Sequence, residues 1–375
     1  MTDKNILISA GEASSDMYAA RLATALRART GAKFFGMGGP RMGEAGVELV
    51  ADYHEVAVVG ISEVLHKIPT VIGVQNRLKR EAERRNAALA ILVDSPGTHL
   101  GVARRMKQID VPVGYFIGPQ IWAWRAGRVR VVKRVVNRMV VIFPFEEKIY
   151  RDAGVPVDFV GHPLVDVVRP TMSRAEFALL HNLKPGRPIV TILPGSRQNE
   201  IRQNYGRIVE ACERLGRANG DIQFVLAAAL NLKPEVFSSY ARPTVAINLV
   251  QGATYGALSA ADCAVVASGT ATVEAALLGT PMVVVYRVSP LSALILRRMI
   301  RTPFFSMVNL IAGRMVVPEL IQDDFTAGRV ETEVRRLLDS PAARDEMKSG
   351  LAEVRARLGP GGAIERAADI FAQML

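Results

Sequence analysis

Cysteine is nearly absent from this chain: two residues in 375, Cys212 and Cys263, far apart and in no paired spacing. A disulfide scaffold is therefore excluded, and both are expected as reduced core thiols. The five histidines, His54, His66, His99, His162 and His181, show no spacing of the HExxH kind, so no zinc site is expected. Aromatic residues make up only 6% against 49% hydrophobic overall, the balance of an aliphatic α/β protein rather than a disordered one. Asp262, Glu274 and Arg287 interrupt the most apolar part of the chain. No uncharged apolar run reaches eighteen residues, and no membrane span is expected. The start, Met1 to Ala10, is too short in apolar residues for a secretory segment and reads as a buried first strand. The Walker pattern is missing, and no fixed-period repeat or low-complexity tract is visible.

The charge is one-sided. Forty-seven basic residues against 36 acidic leave a net charge of +11, which favours phosphates, nucleic acid or an anionic membrane face without choosing among them. A length of 375 residues exceeds what one core usually supports, so two domains are expected. Short aliphatic runs alternate with segments of helical period, the pattern of parallel α/β architecture. Asn5 to Ser9, Lys33 to Gly36, Leu89 to Asp94, Val113 to Ile117, Arg138 to Phe143 and Pro156 to Gly161 form a first series of strands. Pro188 to Leu193, Ile222 to Ala228, Thr244 to Val250, Ala264 to Ala267 and Met282 to Tyr286 form a second. The predicted domains are residues 1–170 and 185–345, with the junction around Ser173 to Arg187 and a C-terminal helical segment, 346–375, crossing back onto the first. Two doubly wound, Rossmann-like domains facing a central cleft would bind ligands at the carboxyl ends of their strands.

Loops at those ends hold the candidate site residues. Leu193-Pro194-Gly195-Ser196-Arg197 leads from a strand into a helix, so the amides of Gly195 and Ser196 and the fork of Arg197 suit a phosphate; a plain turn with a solvated arginine is the other reading. Ser268-Gly269-Thr270-Ala271-Thr272 repeats the arrangement, and Glu274, expected in the first helical turn, either accepts ribose hydroxyls or complements the helix dipole. Two such loops in one half point to a nucleotide. In the other half, Gly11, Glu12, Ser14 and Asp16 follow the first strand, and Gly38 and Gly39 follow the second. These glycines admit either a ligand or a tight turn. Gly36-Met37-Gly38-Gly39 lacks the spacing of a dinucleotide fingerprint, so no nicotinamide cofactor is assigned. Asp94 ends an apolar strand ahead of Ser95-Pro96, which reads as an N-cap and first helical residue and leaves Asp94 open as a general base. Trp122 and Trp124 precede a basic, acid-free stretch to Arg138, and Ser289-Pro290 opens a second amphipathic segment with Leu291, Leu294, Ile295, Arg297, Arg298 and Arg301. Both fit a solvated or buried helix or an anionic lipid surface.

The ordered stretches Gly11-Glu12-Ala13-Ser14, Gly38-Gly39-Pro40-Arg41-Met42, Val59-Gly60-Ile61-Ser62-Glu63, Trp122-Ala123-Trp124-Arg125, Phe143-Pro144-Phe145-Glu146, Gly161-His162-Pro163-Leu164, Leu193 to Arg197, Ser268 to Thr272 and Asn309-Leu310-Ile311-Ala312-Gly313-Arg314 together resemble the lipid-A-disaccharide synthases, from Ile6 to Gln322. The resemblance implies the GT-B glycosyltransferase fold and an inverting transfer without metal or other cofactor. UDP-2,3-diacylglucosamine would be the donor and 2,3-diacylglucosamine 1-phosphate (lipid X) the acceptor. Asp94, Arg197 and Asn309 match the family's catalytic positions. The enzyme would sit peripherally on the cytoplasmic face of the inner membrane, bind no nucleic acid, and leave a homo-oligomer open. Asp94-Ser95-Pro96-Gly97-Thr98-His99 departs from the usual Asp-Ala-Pro-Asp-Phe-Asn, and Gly118-Pro119 stands for Ser-Pro. A UDP-sugar 2-epimerase on the same fold and a non-catalytic peripheral membrane protein are the competing readings.

Overall fold

The computed structural model describes residues 4–56, 61–119, 128–289 and 302–375. Two compact units divide the chain: Met1–Pro163 with Leu358–Leu375, and Leu164–Arg357.

The first unit opens with β1 (Asn5–Ala10), α1 (Ala13–Thr30), β2 (Lys33–Gly38), the short α2 (Pro40–Glu44) and β3 (Glu48–Asp52). It continues through α3 (Ile61–Arg84), β4 (Ala87–Val93), α4 (Pro96–Lys107), β5 (Val113–Phe116), α5 (Arg128–Val135), β6 (Arg138–Val141), α6 (Pro144–Asp152) and β7 (Val157–Phe159). Its strands lie in the order β3-β2-β1-β4-β5-β6-β7, all neighbours parallel. A parallel sheet is covered by helices on both faces, which is why β1 and β4 read as unbroken aliphatic runs and Ile6, Leu7, Ile8, Leu89, Ile91 and Leu92 are fully buried. Each such side chain contributes roughly 1.5–3 kcal/mol relative to exposure.

The second unit begins with α7 (Leu164–Val167), α8 (Arg174–Leu180), β8 (Ile189–Leu193), α9 (Gln198–Ala218), β9 (Gln223–Ala228), α10 (Glu235–Ser238), β10 (Ile247–Gln251) and α11 (Thr254–Ala260). β11 (Cys263–Ala267), α12 (Thr270–Leu277), β12 (Met282–Tyr286), α13 (Met307–Ala312), β13 (Glu319–Ile321), α14 (Ala327–Asp339) and α15 (Pro341–Arg357) complete it. The strand order, β10-β9-β8-β11-β12-β13, repeats the doubly wound plan. α9 shows the amphipathic rule plainly, burying Ile201, Tyr205, Ile208, Cys212 and Leu215 along one face. Both cysteines are free and buried.

Three features differ from the sequence expectation. The chain enters the second unit at Leu164, ahead of the 173–187 stretch, because α8 already packs there: Arg174 pairs with Asp262 at 2.8 Å and Phe177 is fully buried. Of the C-terminal segment, α15 stays with the second unit, where Arg355 donates to the Leu277 carbonyl, and only the last helix, α16 (Ala363–Ala372), returns to the first. There Arg29 of α1 pairs with Glu365 and Asp369, and the Phe371 ring lies where a side chain on Gly114 would be. β3 and β13 were not expected as strands. The tryptophan motif Trp122 to Arg125, Val59-Gly60 and the Pro290 to Arg301 segment lie outside the described residues. Among the described residues no helix is long and apolar enough to cross a membrane.

Candidate active site

In a doubly wound sheet the strand order reverses at one point, and the loops leaving the two strands there diverge to leave room for a ligand. That point lies between β1 and β4 in the first unit and between β8 and β11 in the second. The Gly11–Asp16 and Asp94 loops therefore share one edge, and the Gly195–Arg197 and Ser268–Thr270 loops share the other.

Asp94 leaves β4 with φ +55°, followed by Ser95 at +49°. Left-handed backbone at a non-glycine residue costs ~1–3 kcal/mol and persists only where surroundings over-determine it. Here the Asp94 amide donates to Phe116 at 2.9 Å, while its carbonyl accepts from the Tyr115 hydroxyl at 2.6 Å and from His99 Nδ1 at 2.7 Å. Pro96 is the first helical residue as expected, but Ser95 makes no side-chain cap. Its side chain instead lies against Gly11, where a Cβ would fall 2.4 Å from Ser95 Oγ. Burial, with the nearby Glu12 carboxylate, raises the Asp94 pKa to about 6; the Ser95 amide opposes the shift. Glu12 caps the start of α1, exposed, and accepts from Ser14 Oγ at 2.5 Å.

Asp16, in the first turn of α1, turns to the neighbouring loop after β2. Its carboxylate is buried and accepts from the amides of Gly39, Arg41 and Met42 at 2.7, 3.1 and 3.3 Å, capping α2. A carboxylate so occupied holds the Gly38-Gly39 turn and has little left for a ligand. Gly39 is itself shaped by packing, since a Cβ there would meet the Tyr53 ring at 2.3 Å.

In the second unit, Gly195 (φ +132°) turns the chain into α9. The Asn204 side chain pins this loop, donating to the Pro194 carbonyl at 3.0 Å and accepting from the Arg287 amide. The amides of Ser196 and Arg197 donate to Glu200 Oε2 at 2.9 and 3.3 Å, and Arg197 pairs with Glu200 Oε1 at 3.2 Å. The exposed N-terminus of α9 thus already grips an anion, the carboxylate of its own third residue. Sequence reasoning missed Glu200, although a Glu three residues past Arg197 is a capping-box signal. At the neighbouring loop α12 starts from Gly269, which supplies no side-chain cap, and Ser268, Gly269 and Thr270 are partly or fully exposed. Glu274 is the fifth residue of α12 rather than part of its first turn. It is mostly buried, accepts from Tyr255 at 3.2 Å, and is held above the usual carboxylate range by burial.

Asn309 is held by its own chain. It is fully buried in α13 and its amide is consumed: Nδ2 donates to Val317 O at 2.8 Å and Glu319 Oε1 at 2.7 Å, and Oδ1 accepts from the amides of Val316 and Val317 at 2.7 and 3.0 Å. Glu319 also accepts from the Phe305 and Ser306 amides. These bonds order the 305–319 segment.

Among solved structures, the chain superposes on the UDP-GlcNAc 2-epimerase of Neisseria meningitidis bound to UDP-GlcNAc with TM-score 0.68 and 13% identity, covering 98% of this chain and 100% of that one. The glycotransferase of kitacinnamycin gives 0.62 and 16%, with each chain covered completely. At such identities the likeness shows the two-domain α/β GT-B fold alone. The sequence comparison goes further: the model of the lipid-A-disaccharide synthetase family matches residues 6–360, and the lipid-A-disaccharide synthase of Acidobacterium capsulatum is 46% identical over 99% of this chain and 96% of its own length. With the doubly wound sheets, the two anion-ready loops and the half-buried Asp94 on the same chain, it belongs to the lipid-A-disaccharide synthase family of glycosyltransferases.

Proposed function

We propose that the chain transfers the sugar of UDP-2,3-diacylglucosamine to the 6-hydroxyl of 2,3-diacylglucosamine 1-phosphate, with inversion, giving the β-1′,6-linked disaccharide 1-phosphate and UDP. Asp94 carries the reading: a carboxylate with its pKa raised to about 6 is poised to accept a proton near neutral pH. The acceptor oxygen attacks the donor's anomeric carbon and gives its proton to Asp94, while the bond from that carbon to the diphosphate breaks and its electron pair leaves with UDP. The α9 amides and Arg197 meet the departing charge, with the diphosphate taking the place of the Glu200 carboxylate. Gly195, Ser196 and the open start of α12 at Ser268, Gly269 and Thr270 extend that contact, and Glu274 receives the ribose hydroxyls. Glu12, Ser14 and the Gly38-Gly39 turn border the acceptor. Asn309 and Asp16 serve by holding their loops.

Acylated substrates reside at a bilayer. Arg130, Lys133 and Arg134 of α5 are exposed and have no ion-pair partner among the described residues, and Ile68 and Ile72 on α3 are each 44% exposed. These features support reversible docking on an anionic membrane face. The 2-epimerase reading gives way because the relatives at 43–46% identity are synthases, whereas the epimerase likeness stands at 13%. Incubation with both acylated substrates, followed by mass spectrometry for the disaccharide phosphate and UDP, tests the proposal. Consumption of the UDP-sugar without a disaccharide would refute it.

A further inference from the structure

The carbonyl of Asp94 accepts two hydrogen bonds from side chains that the proposed chemistry does not otherwise use. One comes from the Tyr115 hydroxyl on β5, the other from His99 Nδ1 on α4. A carbonyl has no proton to give, so Nδ1 carries the hydrogen. The ring is wholly buried, and burial lowers the pKa of His99 to about 4, against the opposing effect of its hydrogen bond to the Asp94 carbonyl. It is therefore neutral, Nε2 is bare, and the hydroxyl of Ser9, 2.9 Å away at the end of β1, donates to it. A relay thus runs from Ser9 through the imidazole to the backbone of Asp94, with Ser9 and His99 out of solvent.

We propose that His99 is a positioning residue for the transfer: its Nδ1–H bond holds the left-handed backbone that aims the Asp94 carboxylate, and Ser9 selects the tautomer that can make this bond. The proposal rests on the reading of Asp94 as the base. His99 itself does not act as the base, since a fully buried ring with both nitrogens engaged reaches no substrate. Two consecutive residues with positive φ follow β4, and the bonds that hold the first come from other elements: the Phe116 carbonyl and Tyr115 hydroxyl of β5, and His99. The charged group facing the Asp94 carboxylate is Glu12 at the start of α1, so a turn of the carboxylate alters its distance from a like charge and moves its titration.

Asparagine places an amide N–H where Nδ1 stands, and glutamine places its amide at the reach of Nε2. The two variants therefore separate the bond to Asp94 from the bond to Ser9. Turnover and KM of H99N, H99Q, S9A and D94N are to be measured from about pH 5 to about pH 9, with thermal melting of each to confirm folding. The expected result is that H99Q loses about ten- to a hundredfold in kcat with little change in KM, and that its acid limb departs from the wild-type position by at least about half a pH unit. H99N should recover at least about tenfold of that loss, and S9A should fall between them. Equal kcat in H99N and H99Q, with an unmoved acid limb, would reduce His99 to packing and overturn the proposal. If D94N retained turnover, the base reading itself would fail. An inactive D94N beside an unaffected H99Q would sink the positioning role alone.

Discussion

A carboxyl group that ionises near pH 6 changes charge inside the working range of the protein, and for Asp94 the direction of that change governs both rate and stability. As a base it must be ionised, so kcat rises with pH through about 6. Stability runs the other way: with the folded pKa raised above the ordinary value near 3.8, the favourable contribution is complete below that value and is lost as pH climbs through about 6. D94N should therefore lower turnover about 10²–10⁴-fold yet raise stability above pH 7 by on the order of 1–2 kcal/mol, allowing for partial solvent access. Denaturant melts at pH 5 and pH 8 check the second half; a variant less stable than wild type at pH 8 would contradict the burial argument. Asn309 predicts the opposite pattern. N309A strands two backbone amides and one carbonyl and takes one donor from Glu319, costing about 2–4 kcal/mol, with activity lost in step with folding rather than ahead of it. Retained melting temperature with abolished turnover would return Asn309 to the chemistry. The place of Asp94 was legible because an apolar strand ending in Asp sets that residue at the carboxyl edge of the sheet. The bonds of Asn309 were not legible, because its partners, Val316, Val317 and Glu319, are set by a loop whose course no spacing rule foretells.

At the scale of the elements, the start of α9 is an anion site with an internal occupant. If diphosphate and the Glu200 carboxylate compete for the same amides and the same guanidinium, E200Q keeps an acceptor for the loop but removes the charge the ligand must displace. UDP binding measured by calorimetry should tighten about three- to tenfold in E200Q; weaker or unchanged binding would show that the two do not share the cradle. The central strands of both sheets were readable because parallel strands buried on both faces leave continuous aliphatic runs. β3, Glu48-Leu49-Val50-Ala51-Asp52, and β13, three residues beginning at Glu319, escaped that reading because edge strands are short, half-exposed and carry charge. Ser95 stands at the N-cap position as expected, but without a side-chain cap. Pro96 does open a helix, but the left-handed turn before it directs the serine side chain at Gly11 and away from the helix amides.

For the whole molecule, length alone announced two units, whereas their boundary depended on contacts such as Arg174 with Asp262 that join residues 88 apart in sequence. Net charge of +11 likewise announced an anionic partner without naming it. The exposed bases of α5 give that partner a place to be tested: replacing Arg130, Lys133 and Arg134 with glutamine should weaken co-sedimentation with anionic vesicles by about 1 kcal/mol per charge and flatten its salt dependence. Binding that ignores both the substitutions and the salt would leave α5 as a solvated helix. Whether this chain joins two acylated glucosamines using Asp94 can be read from the products of a single paired reaction. Wild-type protein and D94N are each incubated with UDP-2,3-diacylglucosamine and 2,3-diacylglucosamine 1-phosphate, and the products are quantified by mass spectrometry beside UDP binding. The predicted result is disaccharide 1-phosphate and UDP in equal amounts from wild type, and almost none from D94N although it still binds UDP. Equal disaccharide from both proteins, or UDP released with no disaccharide, would contradict it.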